Sequence, residues 1–343
     1  MEVKGSIVPH LKRVHGPLWN KWCKQFVDMK NAGLSSRRIM KAFSEPGGRL
    51  LFSWTVIDHE IKRLIETNSA QLKIPQKDSI TKWRPDDYAP ERTTVWDFRR
   101  RGSWAVHSSD YRGNWAPQVP RNLILKYSAP GDLVLDPFAG GGTTLIEAWL
   151  LNRRSVGLDV STMAYETTSQ KIEQLEKLDK AREDEKLGGH LKPELHPTII
   201  KGDSRKVVET LSKRGINPGT VDLIATHPPY LDSLRYTMTS EDDLSNIHSI
   251  DKFSAEVRGI AAQLFQLLKA GGVCAILIGD TRKAGKLVPL GFRVMQDFLS
   301  VGFELKDIII KLQRQDSSTE FYFNNKNRPD HLLAHEYLYI FTK

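Results

Sequence analysis

The chain has 343 residues, 40% of them hydrophobic and 27% charged, with a formal net charge of +9. That balance excludes a collagen-like, low-complexity or intrinsically disordered chain and leaves room for one large α/β domain plus a small accessory one. The longest apolar run, Val273-Cys-Ala-Ile-Leu-Ile278, is far too short to cross a bilayer. Met1-Glu-Val-Lys-Gly-Ser6 carries no apolar signal stretch, and the two cysteines, Cys23 and Cys274, suffice for neither a disulfide framework nor a zinc site of their own. A reducing cytoplasm is the expected location, with no membrane and no metal. Residues 1–90 hold 16 Lys+Arg against 9 Asp+Glu, so most of the positive charge sits at one end of the chain. A basic region beside a near-neutral one suits a polyanion partner.

In chain order, residues 1–75 read as a small helical domain. Leu18, Trp19, Trp22, Phe26 and Val27 form a helical stripe between Leu18 and Met29. Ser35 or Ser36 can cap a second helix after the Gly33 turn, and a third runs from Ser53 through Val56, Ile57, Ile61 and Leu64. Helix, glycine turn and helix, with Arg37 and Arg38 on the second, resemble a helix-turn-helix, although a plain packing subdomain shares the pattern.

Residues 76–120 read as a linker and a Trp/Arg-rich loop. Pro75, Pro85 and Pro90 punctuate the polar stretch 70–90 that leads into it. From Trp96 to Trp115, aromatic residues and arginines (Arg99, Arg100, Arg101) alternate with glycines without helical or strand period. Such a loop either contacts substrate or covers the site; alternatively its tryptophans plug the core edge.

Residues 121–343 alternate strand and helix, which predicts a doubly wound, mostly parallel sheet. Strands are expected at Leu133-Val-Leu, Ser155–Val160, Thr198–Lys201, Leu223-Ile-Ala, Val273–Ile278, Phe303–Lys311 and His335–Phe341. Helices are expected at Leu123–Tyr127, Thr144–Leu151, Met163–Lys186, Val257–Leu268 and Val294–Ser300, the third of them long, charged and mostly solvent-facing.

Two segments carry chemistry. The first is Val134-Leu-Asp-Pro-Phe-Ala-Gly-Gly-Gly-Thr-Thr144, a glycine-rich turn between a strand and a helix. Helix N-terminal N–H groups there can hold polar ligand atoms. The Gly-Lys-Ser/Thr ending of a phosphate loop is missing. Asp159, 19 residues past Gly140, ends the next strand, where an acid can accept ribose hydroxyls, and Asp203 follows the third strand, where it suits an adenine amino group. Asp136, Asp159 and Asp203, at successive strand ends, point to a nucleoside-bearing cofactor. The second segment is Thr226-His-Pro-Pro-Tyr230, a stiff ledge with an aromatic face after another apolar strand.

The stretch from Asn122 to Ser161 resembles the cofactor segment of amino-group DNA methyltransferases, whose loop reads Asp-Pro-Phe-x-Gly-x-Gly-Thr. Thr226-His-Pro-Pro-Tyr230 is similar to their (Asp/Asn/Ser)-Pro-Pro-(Tyr/Phe) motif, and the resemblance extends over roughly residues 95–343. It implies a Rossmann-like methyltransferase sheet and S-adenosylmethionine as cofactor, held by Asp136, Phe138, Gly140, Gly142, Thr143, Asp159 and Asp203. It further implies DNA as partner, with methyl transfer to an exocyclic amine carried by His227, Pro228, Pro229 and Tyr230. Such an amine is a poor nucleophile, so the base is held out of the stack while acceptors at 227 and 228 favour a pyramidal nitrogen. A cognate restriction endonuclease is a further partner the resemblance raises. No long target-recognition insert follows the last strands, so the basic N-terminal region and the Trp/Arg loop are candidates for that role. Arg282 and Lys283, after the Val273–Ile278 strand, suit phosphate contacts.

His227 departs from the Asp, Asn or Ser of the motif. A histidine accepts only through an unprotonated nitrogen, so activity is expected to fall below about pH 6.5, the ordinary histidine value; alternatively His227 only shapes the pocket. The Thr-X-Pro-Pro-Tyr setting is closer to the Ser form, which in that family leans to cytosine N4, than to the Asp or Asn form, which leans to adenine N6. An RNA guanine-N2 methyltransferase and a non-enzymatic DNA-binding protein with a degenerate methyltransferase fold are the competing readings.

Overall fold

The computed structural model describes residues 7–32, 34, 36–43, 54–67, 70–85, 87–108, 111, 113–182, 190–230, 243–283, 286–313 and 331–343. Three helices come first: α1 (Ile7–Asn31), α2 (Ser36–Ala42) and α3 (Trp54–Glu66). Trp19, Phe26, Ile39, Ile57, Ile61 and Ile65 close a core of their own between them. Ile57, Ile61 and Ile65 recur every fourth residue, so they stack on one face of α3. Each is at most 1% exposed, a burial worth roughly 1.5–3 kcal/mol apiece.

The segment after α3 is not the free linker its prolines suggest. It lies across helix α6 (Thr162–Lys180). The Gln170 side chain accepts from Ile74 N–H at 2.9 Å and donates to the Leu72 carbonyl at 2.7 Å. Helix α6 is therefore not mostly solvent-facing: Thr167, Thr168, Lys171, Ile172, Gln174 and Leu175 are buried along it. Its polar face is covered because Gln170 and Gln174 satisfy an incoming backbone that would otherwise lose its water. Ser161 caps the helix by accepting from Ala164 N–H.

An eight-stranded sheet forms the centre of the molecule, in the order β1-β9-β10-β6-β5-β2-β3-β4. Its strands are β1 (Val95–Trp96), β2 (Leu133–Asp136), β3 (Arg154–Asp159), β4 (Thr198–Lys201), β5 (Val221–Thr226), β6 (Leu268–Ile278), β9 (Glu304–Leu312) and β10 (His335–Thr342). Neighbours run parallel except β10, which is antiparallel to both β6 and β9. The fold is the expected doubly wound, Rossmann-like α/β sheet with a small helical N-terminal domain. Helices α4 (Gln118–Tyr127), α5 (Thr143–Leu150), α7 (Val207–Ser212), α8 (Ile250–Leu267) and α9 (Leu290–Ser300) complete the alternation.

Two elements depart from expectation. Val95 and Trp96 in the Trp/Arg loop pair with Ile310 and Lys311 as an edge strand. The tryptophans of that loop are core residues, with Trp96, Trp104 and Trp115 each at most 5% exposed. The basic turn after β6 is a hairpin, β7 (Thr281–Lys283) with β8 (Lys286–Val288).

From β2 the chain winds outward through β3 and β4, then returns to place β5 on the other side of β2. The strand order reverses between β2 and β5, and open α/β sheets bind ligands in the crevice beyond the carboxyl ends of such a pair. The two sequence motifs are the segments leaving those two ends.

Candidate active site

Asp136 closes β2 and joins the motifs. Its Oδ1 accepts from Thr226 Oγ1 at 2.7 Å and from Phe138 N–H at 3.1 Å, and its Oδ2 accepts from Thr144 Oγ1 at 2.5 Å. Burial still lifts its pKa to about 6, against the pull of these donors. Asp136 is not among the residues lining the cavity beside it. Its oxygens hold the glycine turn, helix α5 and the end of β5 together.

The cavity is a cleft open to solvent between the two motifs. Phe138, Gly140, Asp159, Asp203, His227 and Pro229 line it. Asp159 Oδ2 accepts from Gly140 N–H at 2.8 Å and Oδ1 from Ser161 N–H at 2.9 Å. Burial, with Asp243 and Asp136 adding negative charge, raises its pKa to about 7 despite those two bonds. Each oxygen keeps a second lone pair for a ligand hydroxyl. Asp203 is engaged differently: its carboxylate pairs with Arg205, whose Nη2 lies 2.9 Å from Oδ2.

The glycine turn is crowded from outside. A Cβ on Gly141 would meet Tyr111 Cβ at 2.9 Å and Asn114 Nδ2 at 3.0 Å. Gly142 has φ +75°, and a Cβ there would meet Thr168 at 2.6 Å. Neither Gly142 nor Thr143 lines the cavity; Thr143 donates from Oγ1 to Asn114 Oδ1 at 2.7 Å. A half-buried carboxylate with no cation beside it among the described residues, a backbone turn that admits no side chain and the apolar walls of Phe138, Leu244 and Ile260 fit the ribose, amino-acid and base portions of S-adenosylmethionine.

Across the cavity, the His227 ring stacks against Trp115 with centroids 5.9 Å apart and planes at 22°. Its Nε2 lies 2.7 Å from the Tyr230 hydroxyl, which donates to Glu336 Oε1 at 2.5 Å. Glu336 Oε2 accepts from Lys311 Nζ at 2.7 Å. Burial pushes the Glu336 carboxyl up, but Lys311, His227 and the Tyr230 bond outweigh it and hold the group below the ordinary carboxylate range. Burial lowers the His227 pKa to about 4, so this ring is neutral far below pH 6.5 and the expected loss of activity near that pH is not its doing. Pro228 is buried, and neither it nor Tyr230 lines the cavity.

The basic candidates scatter. Arg99 and Arg100 are exposed on the Trp/Arg loop, and Arg38 is exposed on α2. Arg101 turns inward and donates from Nη1 to the Asn114 carbonyl at 2.8 Å and from Nη2 to that of Ser108 at 3.3 Å, holding the loop in shape. Arg282 donates to the His331 carbonyl at 3.0 Å. The side chains of Arg37, in α2, and Lys283, in β7, lie outside the described residues, as do Ser35 and residues 231–242 after the ledge.

A family model described as DNA methylase, of the N6/N4 methyltransferase type, matches residues 37–170 and 221–343, three quarters of the chain. The chain belongs to the DNA methylase family. The match includes the glycine turn, the His-Pro-Pro-Tyr ledge, and Lys311 and Glu336. Among curated relatives, this DNA methylase is 32% identical over 131 residues to the orphan methyltransferase M.BamHII of Bacillus amyloliquefaciens, covering 38% of the chain and 42% of that protein. It is 50% identical over 88 residues to the type II methyltransferase M.EcaI of Enterobacter cloacae, 25% of the chain and 20% of that protein. It is also 32% identical over 119 residues to a tRNA (guanine(10)-N2)-dimethyltransferase of Methanocaldococcus jannaschii, 34% of the chain and 29% of that protein. The chain thus spans less than half the length of these relatives.

Sequence reasoning missed Glu336, Lys311, Tyr111, Asn114 and Asp243. Glu336 had one signal, a lone acid in the apolar, aromatic strand His335-Glu-Tyr-Leu-Tyr-Ile-Phe341. Tyr111, Asn114 and Asp243 sit in segments without period, where only the folded sheet brings them to the cavity, and Lys311, near the end of β9, meets Glu336 only once β9 lies beside β10.

Proposed function

We propose that this DNA methylase transfers a methyl group from S-adenosylmethionine to an exocyclic amino group of a DNA base, cytosine N4 ahead of adenine N6. The observation that carries the reading is the Asp136–Thr226 bond, which brings the glycine turn and the His-Pro-Pro-Tyr ledge to one cavity. Family membership and the relatives named as type II methyltransferases support it. The choice of cytosine rests on the Thr-X-Pro-Pro-Tyr setting, closer to the Ser form of the motif than to the Asp or Asn form.

The cofactor supplies an activated methyl group on a sulfonium. Asp159 would accept the ribose hydroxyls, Asp203 would face the adenine amino group, and Phe138 with Leu244 and Ile260 would enclose the base. His227 on the opposite wall, and the Pro228 carbonyl behind the lining once a base displaces it, would accept the N–H groups of the target amine and turn its lone pair toward the methyl carbon. When bound, S-adenosylmethionine would supply the methyl group to the nitrogen these residues align, and the proton the amine loses would leave to solvent through the open cavity. Alignment carries most of the rate, because no enzyme nucleophile is required. Tyr230 provides an aromatic face for the base. We assign the exposed Arg99 and Arg100, with the basic helical region 1–75, to the nucleic-acid backbone.

The test is transfer of labelled methyl from S-adenosylmethionine to unmethylated genomic DNA and, separately, to total RNA. Label in DNA alone is the expected result. The relative named as a tRNA guanine-N2 enzyme supports a second reading, and label confined to RNA would establish it.

A further inference from the structure

Glu147 lies on α5 four residues past Thr143, on the same helix face, and both hold the loop from Arg100 to Trp115. Thr143 binds Asn114 near the end of that loop. Glu147 Oε1 lies 2.6 Å from both Trp104 Nε1 and His107 Nε2, and Oε2 accepts from Arg121 Nη1 of α4 at 2.9 Å. All four side chains are buried. Burial pushes the Glu147 carboxyl up, but His107 and Arg121 outweigh it and hold the group below the ordinary carboxylate range. Burial keeps the His107 ring neutral, so Nε2, facing the carboxylate, carries the proton and donates. Trp104 and His107 reach one oxygen through a tight turn, closed by His107 N–H donating to the Trp104 carbonyl at 3.1 Å, in which Ala105 takes φ +48°. An alanine stays in that left-handed region only where its surroundings over-determine it. The ends of the loop are closed separately: Gln118 accepts from Gly102 N–H at 2.9 Å and donates to the Arg100 carbonyl at 2.8 Å. Glu147 adds the link from the loop to the helix that follows the glycine turn. The loop supplies Tyr111, Gly113, Asn114 and Trp115 to the cavity wall, whereas Trp104, His107, Arg121 and Glu147 do not line it.

We propose that Glu147 is a positioning residue for S-adenosylmethionine: it holds Trp104 and His107 against α5, so that Tyr111 and Asn114 stay pressed on the glycine turn and set the cofactor's affinity. This rests on S-adenosylmethionine as the ligand of the cavity, while the fixing of the loop does not. A Cβ at Gly141 would meet Tyr111 at 2.9 Å and Asn114 at 3.0 Å, so loop and turn fit without slack, and a loop released from Glu147 loses that fit. The two oxygens of the carboxylate have separate tasks. Oε1 holds the loop, and Oε2 neutralises the buried Arg121. Cofactor affinity follows Oε1, whereas stability draws on both.

Two measurements on the full-length protein test this. In the first, hydrogen exchange of segment 101–115 is followed by mass spectrometry without cofactor. Glu147→Met should speed it at least tenfold, with β2 and β5 within twofold of the unsubstituted protein. Unchanged exchange across the loop would overturn the inference, whatever the cavity binds. In the second, the Kd of S-adenosylmethionine by calorimetry is set beside Tm. Glu147→Met should weaken Kd at least tenfold. Glu147→Gln returns one oxygen to the two loop donors but leaves Arg121 without its carboxylate, so it should restore Kd to within threefold while Tm stays low. Asp297→Asn, which cuts the buried bonds from Ser254 and Arg258 between α8 and α9, controls for lost stability. It should lower Tm and leave Kd within twofold. A Kd in Glu147→Gln as weak as in Glu147→Met would make Glu147 a structural residue only, as would a Kd that follows Tm through all three variants. Should Glu147→Met fail to fold, Trp104→Phe with His107→Leu, which removes both loop donors and leaves the Glu147–Arg121 pair, replaces it in both measurements. An unsubstituted protein that binds no S-adenosylmethionine would defeat the reading of the cavity, while the exchange result would still stand or fall by itself.

Discussion

Thr226 Oγ1 donates to Asp136 Oδ1 at 2.7 Å, so the last residue of β5 is bonded to the last residue of β2 at the point where the strand order reverses. The glycine turn and the ledge cannot drift apart without breaking this buried bond. Replacing Thr226 by Val keeps the shape and removes the donor, leaving Asp136 short of one partner. The expected loss of stability is about 1–3 kcal/mol, the cost of an unsatisfied buried polar group, measured by urea unfolding. Methyl transfer should fall more than cofactor affinity, because the ledge loses its anchor while Asp159 does not.

Asp159 predicts an inverted pH dependence. Its pKa rises to about 7 on folding, from an ordinary aspartate value near 4. Between those values the folded chain binds the proton and the unfolded chain does not, so stability falls as pH rises through that window. The Tm of the ligand-free protein should therefore climb as pH is lowered from 8 to 6, with Asp136, raised to about 6, adding to the climb at its acid end. Asp159→Asn should reduce the slope and weaken S-adenosylmethionine binding at least tenfold. A wild-type Tm that drops over the same interval would refute the assignment.

The same carboxylate and His227 separate two pH profiles. His227 stays neutral down to about pH 4, so kcat at saturating cofactor should be flat from pH 5.5 to 8. The KM for S-adenosylmethionine should rise as pH falls below about 7, where Asp159 takes up its proton. Steady-state rates at several cofactor concentrations resolve the two. A kcat falling near pH 6.5 would return His227 to an ordinary, solvated histidine.

Gly141→Ala places a methyl group 2.9 Å from Tyr111 and 3.0 Å from Asn114. The covering loop must shift, which typically costs about 1–3 kcal/mol. Cofactor affinity should drop at least tenfold by calorimetry, with the helical content by circular dichroism unchanged.

Arg99 and Arg100 are exposed and separate from the cavity lining. Replacing both by Ala should weaken DNA binding uniformly across sequences. It should also flatten the slope of log K against log salt by about 2, one for each phosphate that the arginines no longer neutralise. Binding of S-adenosylmethionine should not change.

The residues that were readable in advance sit where local pattern meets topology. Asp159, Gly140 and His227 follow apolar strands, and a doubly wound sheet carries such strand ends to one crevice. The buried face of α6 was hidden because Gln170 and Gln174 look solvent-exposed until the backbone of residues 72–75 lies down on them. Trp96 gave no strand signal because β1 is two residues long and gains its register wholly from β9. Glu336 was passed over because the only local cue to a buried carboxylate is its oddness among aromatics. Its partners, Lys311 and Tyr230, lie 25 and 106 residues away in the chain.

The central claim is that one cavity joins the glycine turn to the His-Pro-Pro-Tyr ledge for methyl transfer to an amino group of DNA. The most direct measurement is nucleoside mass spectrometry of unmethylated genomic DNA incubated with S-adenosylmethionine and either the protein or its His227→Ala variant. The expected product is N4-methylcytosine with the protein and at least a tenfold smaller yield with the variant; N6-methyladenine instead would keep the chemistry and move the base. Equal yields from both proteins, or no methylated base in DNA beside N2-methylguanosine in RNA treated in parallel, would contradict it.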